Sequence, residues 1–99
     1  VAKHGNHGSS SACGSSTVLE ALGIKFTDNK EKLKRCLDRA NICVLHAPMF
    51  HSSLKALSAV RKELGIRTFL NLLGPLVNPA SPKRQLVGVS GYDVFRLYR

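Results

Sequence analysis

The stretch Val1-Ala2-Lys3-His4-Gly5-Asn6-His7-Gly8-Ser9-Ser10-Ser11-Ala12-Cys13-Gly14-Ser15-Ser16 runs directly into Thr17-Val18-Leu19-Glu20-Ala21-Leu22-Gly23, and its reading decides the fold. Val1–Lys3 has the character of a strand end. The glycines and serines after it make a loop, and the loop opens on a helical pattern. Thr17-x-x-Glu20 fits a capping box, a start near Ser15 fits as well, and Gly23 closes the helix as a glycine just past its end. In a strand–loop–helix unit of this kind, the loop N–H groups and the positive end of the helix point at the same place. That arrangement suits phosphate. Lys3 adds a point charge and the serine hydroxyls add donors. Composition alone leaves a solvated linker open beside a phosphate cradle. The polar side chains Lys3, His4 and Asn6 ahead of the serines, and the lack of a spacer before the helix, favour the cradle.

Working outward, Thr27 can cap a second helix from Asp28 to about Asn41, with Asp28 favourable in its first turn. Its apolar face is Leu33, Cys36, Leu37 and Ala40; Lys30, Lys32, Lys34, Arg35 and Arg39 form its solvated side. Ile42–Leu45 is a short apolar run with β-branched members, read as a buried strand that Pro48 breaks. A third helix is expected from about Ser52 to Leu64, with Leu54, Leu57, Val60, Arg61 and Leu64 along one side and Gly65 closing it. Thr68–Leu73 reads as a strand or a short helix. Gly74-Pro75 and Asn78-Pro79 are breakers around Leu76-Val77. Gln85–Val89 reads as a strand and Tyr92–Arg99 as the start of another helix. No internal repeat is present. The alternation of strands and helices predicts an α/β layer on a largely parallel sheet flanked by helices. Ligand sites in such sheets lie at the carboxyl ends of the strands, so the loops at Lys3 and Ala47 can face one crevice.

Ninety-nine residues bound the answer to at most one small domain, and a hydrophobic content of 43% marks globular material. No apolar run approaches a membrane span, and the polar, glycine-rich start is not a signal peptide. A chain that opens on Val1 and closes at Arg99 inside a helical pattern reads as a piece of a longer protein. Three cysteines, Cys13, Cys36 and Cys43, contain no CxxC pair and point to reduced thiols in a cytosolic compartment. Cys36 and Cys43 read as core, and Cys13 as a small loop filler. The net charge of +9 fits an anionic small substrate or a nucleic acid. Six aromatics and no nucleic-acid motif weigh against the second.

Three blocks resemble the central signature of anthranilate phosphoribosyltransferases, in the family's order and spacing. The first is Lys3-His4-Gly5-Asn6 with Ser9-Ser10-Ser11-Ala12-Cys13-Gly14-Ser15 and Val18-Leu19-Glu20-Ala21-Leu22-Gly23. The second is Ala47-Pro48-Met49-Phe50-His51 leading into Val60-Arg61-Lys62-Glu63-Leu64-Gly65-Ile66-Arg67-Thr68. The third is Asn71-Leu72-Leu73-Gly74-Pro75-Leu76-Val77-Asn78-Pro79-Ala80. The resemblance covers essentially the whole chain. It implies part of a catalytic domain of the nucleoside phosphorylase/phosphoribosyltransferase type spanning residues 1–99, and it favours a helical turn within Thr68–Leu73. It implies transfer of the phosphoribosyl group from phosphoribosyl pyrophosphate to anthranilate in tryptophan biosynthesis, with Mg²⁺, in a cytoplasmic homodimer (plastid in a plant). A pyrimidine nucleoside phosphorylase and a non-catalytic nucleic-acid-binding relative are the rival readings.

By this resemblance Lys3, His4, Gly5, Asn6, His7, Gly8, Ser9, Ser10, Ser11 and Ser15 contact the phosphoribosyl donor. His4, Asn6, Ala47, Pro48, His51 and Arg61 contact anthranilate. Arg61 is unusual on its residues alone: an arginine on an inward helix face needs a carboxylate or phosphate partner, or else snorkels out or pairs with Glu63. The resemblance selects the anthranilate carboxylate, which a guanidinium matches bidentately. No residue is marked as a covalent nucleophile. The histidines His4/His7 and His46/His51 lack zinc spacing. The chain departs from the family at His7, where arginine is usual, at Cys13, where serine is frequent, and at Thr17, where aspartate is usual. An imidazole is mostly uncharged near neutral pH, so His7 is expected to weaken phosphate binding. The family's upstream glycine-rich pyrophosphate loop and downstream acidic pair have no match here, and the six acidic residues include no adjacent pair. The magnesium ligands are therefore expected outside these residues, the piece alone is expected to be inactive, and exposed apolar surface and an incomplete sheet are expected with it.

Overall fold

The computed structural model describes residues 1–8, 13–53, 55, 60, 63 and 69–99. Strand β1 (Ala2–Gly5) and strand β2 (Cys43–His46) pair in parallel, with Ala2 opposite Cys43 and Gly5 opposite His46. Parallel neighbours need a crossover, and residues 6–42 supply it with helices α1 (Ser15–Ala21) and α2 (Lys30–Ala40). The strand runs further than the sequence suggested: His4 and Gly5 also belong to β1, because pairing with β2 continues to its end.

Alternation along the strands divides the sheet into two faces. On one, Cys43 and Leu45 are buried with Leu33 of α2, and Ala2, Leu37 and Phe50 pack around them. Leu33 and Leu37 sit one turn apart, which makes the inward stripe of α2 narrow. Cys36 lies off that stripe and is exposed, as is Ala40, so the expectation of Cys36 in the core is corrected. Cys43 is buried, and burial pushes its thiol pKa up, which keeps it protonated and unreactive.

The caps also differ in detail. Asn29, not Thr27, caps α2: its Oδ1 accepts from the Lys32 N–H at 3.0 Å, while Thr27 Oγ1 accepts from the Asn29 N–H at 3.2 Å. Asp28 therefore lies before the helix. Asn41 ends α2 in the left-handed region at φ 55°, which asparagine tolerates. At α1 the capping box does not form. Gly14 is the N-cap, with no side-chain cap bond. The C-terminus of α1 follows expectation: Gly23 has φ +84°, its N–H donates to Glu20 O at 2.9 Å, and the Ile24 N–H donates to Leu19 O at 3.0 Å. That pair of bonds is a Schellman motif.

After β2, Pro48 starts rather than merely interrupts: Ala47–Phe50 is one helical turn, α3, with the proline near its N-terminus. The third long helix expected from the sequence, with Leu54, Leu57 and Leu64, lies largely outside the described residues. Leu70–Leu73 is a helical turn, α4, followed by a 3₁₀ turn over Gly74–Val77 that Pro75 enters without breaking. Gln85–Val89 is not a strand. The segment is irregular, has no ladder partner among the described residues, and leaves Leu86 fully exposed. Helix α5 (Tyr92–Tyr98) forms as expected. Its Tyr98 hydroxyl donates to Leu72 O at 2.6 Å and ties it to α4. Exposed apolar side chains, among them Leu22, Phe69, Leu86 and Leu97, appear as the sequence predicts.

Candidate functional site

Lys3, His4, Gly5 and Asn6 at the carboxyl end of β1 meet Ala47 and Pro48 of α3 across one cleft of about 730 Å³. Parallel pairing forces the meeting, since both chains leave the sheet at the same edge. The Gly74–Val77 turn and the irregular segment around Arg84 and Gln85 form the remaining walls.

On one side of the cleft, Lys3 Nζ donates to Ser15 Oγ at 2.9 Å, which holds the cation against the start of α1. Gly5 permits this. A Cβ there would lie 2.9 Å from Ser15 Oγ and 3.1 Å from Lys3 Nζ. Gly14 has a stricter need for glycine, because a Cβ would collide with the Gly8 backbone N and sit 2.6 Å from the His7 carbonyl carbon. The two ends of the serine loop thus touch backbone to backbone, and the Ser16 N–H reaches Asn6 O at 3.4 Å. Asn6 Oδ1 accepts from the His7 N–H at 2.8 Å.

His4 occupies the other face of β1. Its Nδ1 is 3.0 Å from Gly74 O. A carbonyl only accepts, so Nδ1 carries the proton and Nε2 is the lone-pair nitrogen. That Nε2 is buried without a partner, as is His51 Nε2, and the two rings meet edge-on with centroids 5.2 Å apart. Burial lowers the pKa of His4 below the usual histidine value; the Gly74 carbonyl opposes this, while His51 and Lys3 add to it. His4 is therefore neutral at pH 7.

A second histidine pair lies beside the loop. His7 Nε2 is 2.8 Å from Glu20 Oε2 and its ring meets His46 edge-on at 4.9 Å. His46 is buried, stacks on Phe26 at 4.4 Å, and shares a 3.0 Å hydrogen bond between its Nδ1 and Ser16 Oγ. Glu20, expected to close a capping box, pairs with His7 instead. The carboxylate accepts from the imidazole across the loop's base.

Of the residues expected to contact ligand, Lys3, His4, Gly5, Asn6, Ala47 and Pro48 share the cleft. Ser15 is joined to it through Lys3, and His51 through its contact with His4. His7 turns aside to Glu20, and Gly8 serves as packing for Gly14. Ser9, Ser10, Ser11 and Arg61 lie outside the described residues. Sequence reasoning missed Gly14, Lys55, Asn71, Arg84 and Gln85. The Gly14-Ser15 step at the helix start was the available signal for the first. Among the described residues no three His, Cys, Asp or Glu side chains come together to hold a metal ion, and Glu20 is engaged by His7. These residues do not fit a magnesium site. No helix among the described residues is long and apolar enough to cross a membrane.

A parallel α/β unit with two post-strand loops converging on one cleft at the carboxyl edge of the sheet is the arrangement in which α/β domains hold their ligands. More particularly, the chain belongs to the glycosyl transferase family, a/b domain, whose model matches residues 1–98. It is 57% identical over 98 residues to the anthranilate phosphoribosyltransferase of Christiangramia forsetii and 56% identical to that of Flavobacterium psychrophilum. It is 51% identical to that of Bacteroides fragilis. Each match covers 99% of this chain and 30% of the relative, so the chain spans less than a third of the length of these proteins.

Proposed function

We propose that the protein carrying this chain transfers the phosphoribosyl group of phosphoribosyl pyrophosphate to anthranilate, as a step in tryptophan biosynthesis. The observation that carries the reading is the convergence of Lys3, His4 and Asn6 with Ala47-Pro48 on one cleft. A cationic, glycine-bound side suits a phosphorylated donor, and a side lined by His4 and the Ala47-Pro48 turn suits an aromatic acceptor. The likeness to relatives with this name supports it. In the reaction the amine nitrogen bonds to C1 of the donor as the C1–oxygen bond to pyrophosphate breaks, and the amine loses a proton. C1 gains positive character on the way, so catalysis rests on holding two substrates in line and on charge complementarity at the leaving group. Magnesium belongs to this reading with ligands outside these residues, as do a homodimer and a cytoplasmic location.

Arg61 is assigned to the anthranilate carboxylate on family resemblance. In the full-length protein, Arg61→Ala is expected to raise the anthranilate KM by about tenfold or more with a smaller change for the donor, the loss of one charge-assisted pair. Unchanged KM removes the assignment. Salt-dependent nucleic-acid binding without anthranilate turnover removes the proposed function altogether.

A further inference from the structure

Gln85 lies in an irregular segment that lines one wall of the cleft and pairs with no strand among the described residues. Its carboxamide Nε2 donates to Pro75 O at 2.9 Å. Pro75 is in the 3₁₀ turn Gly74–Val77, and the Gly74 carbonyl of that turn receives His4 Nδ1. Two further bonds flank the turn: the Tyr98 hydroxyl donates to Leu72 O in α4 before it, and after it Asn78 Nδ2 donates to Ala2 O at 3.5 Å. The bond from Gln85 falls within the turn, on the residue next to Gly74, and it comes from an exposed side chain.

We propose that Gln85 is a positioning residue for His4: by fixing the turn, it holds the Gly74 carbonyl against Nδ1 and so keeps His4 in the tautomer whose Nε2 is the acceptor. The consequence lies at that nitrogen. His4 lines the cleft and its Nε2 is buried with no partner, so an N–H group that reaches it gains a hydrogen bond that solvent does not supply. An arylamine has such a group. A His4 free to change tautomer would present N–H there instead and repel it. The inference rests on the proposed function for the identity of the amine, but not for the tautomer.

The test uses Gln85→Met, close to glutamine in length but without a donor, and Gln85→Lys, which restores one, in the full-length protein. ¹⁵N spectra of the His4 ring at about pH 8, where histidine is neutral, report the tautomer directly. The parent protein is expected to show a protonated Nδ1 and a lone-pair Nε2. Gln85→Met is expected to shift both signals toward a mixture and to raise the anthranilate KM by about three- to tenfold, the range for one lost hydrogen bond, with kcat nearly unchanged. Gln85→Lys is expected to recover most of both. A protonated Nε2 in the parent, or Gln85→Met spectra identical to the parent's, overturns the inference whether or not the protein turns over anthranilate. Loss of anthranilate turnover in the parent itself would instead strike the proposed function, with the spectra still deciding the role of Gln85.

Discussion

Ser16→Ala is the sharpest probe of how the loop and helix α1 are joined to the sheet. Ser16 is 1% exposed and His46 8% exposed, and their 3.0 Å hydrogen bond links the first turn of α1 to the end of β2. The substitution removes one oxygen and leaves little cavity. Its main effect is to strand His46 Nδ1 in a site already closed by Phe26 at 4.4 Å and His7 at 4.9 Å. An unsatisfied buried polar group costs about 1–3 kcal/mol. Alanine returns a few tenths of a kcal/mol through its better helix propensity, so the net loss is about 0.5–2.5 kcal/mol. For a domain of this size that lowers Tm by roughly 2–20 °C. Denaturant titration at about pH 8, where histidine is neutral, measures it. The double variant Ser16→Ala/His46→Phe removes the stranded nitrogen as well and is expected to recover part of the loss, because an apolar pair replaces a polar one. If Ser16→Ala costs less than about 0.3 kcal/mol, or the double variant loses the sum of the two single losses, this hydrogen bond does not anchor the loop.

Two other outcomes follow from the same geometry. Stability is expected to fall as pH drops below 6.5, because His4 and His46 both have pKa values lowered chiefly by burial. The unfolded chain takes up protons near 6.5 before the folded chain does, so the stability present above that pH is lost until the lowered folded values are passed. A denaturation midpoint unchanged from pH 7 to below 6 would contradict it. Gly14→Ala is expected to push the base of the serine loop apart, since its Cβ collides with the Gly8 backbone. In the full-length protein, kcat/KM for phosphoribosyl pyrophosphate should drop by about 10- to 100-fold, the scale of an ångström-level misplacement. Parent-like donor kinetics would show that the contact between Gly8 and Gly14 is dispensable.

Elements with a self-contained signal were legible in the sequence. The Schellman glycine at Gly23 and the amphipathic α2, its cap aside, depend on neighbours within a few residues. The convergence of the Lys3 and Ala47 loops followed from topology alone, because parallel strands leave the sheet on the same side. Where tertiary partners decide, reading failed. Gln85–Val89 has strand composition, but a strand exists only with a ladder partner, and its exposed Leu86 shows that composition does not provide one. Glu20 carries a capping-box pattern, yet His7 from across the loop takes its carboxylate. Cys36 fell outside the core because the inward stripe of α2 is two leucines wide, a matter of what α2 packs on and not of its own pattern.

The register of a four-residue strand pair also explains how one short segment presents two chemistries beside one cleft. Lys3 and His4 are adjacent in sequence, so alternation sends them to opposite faces of β1. Lys3 goes to Ser15 and the loop; His4 goes to Gly74 and His51. A cation and a neutral imidazole are thereby kept close to one cleft without sharing one environment. The charge stays at the more exposed serine, and burial keeps the imidazole uncharged. A slip of one residue between β1 and β2 would exchange the two side chains, placing an ammonium on the face where Leu45 packs and stranding it without Ser15. Buried Cys43 and Leu45 therefore do more than form a core: because they must face α2, they dictate which side of the cleft carries the charge.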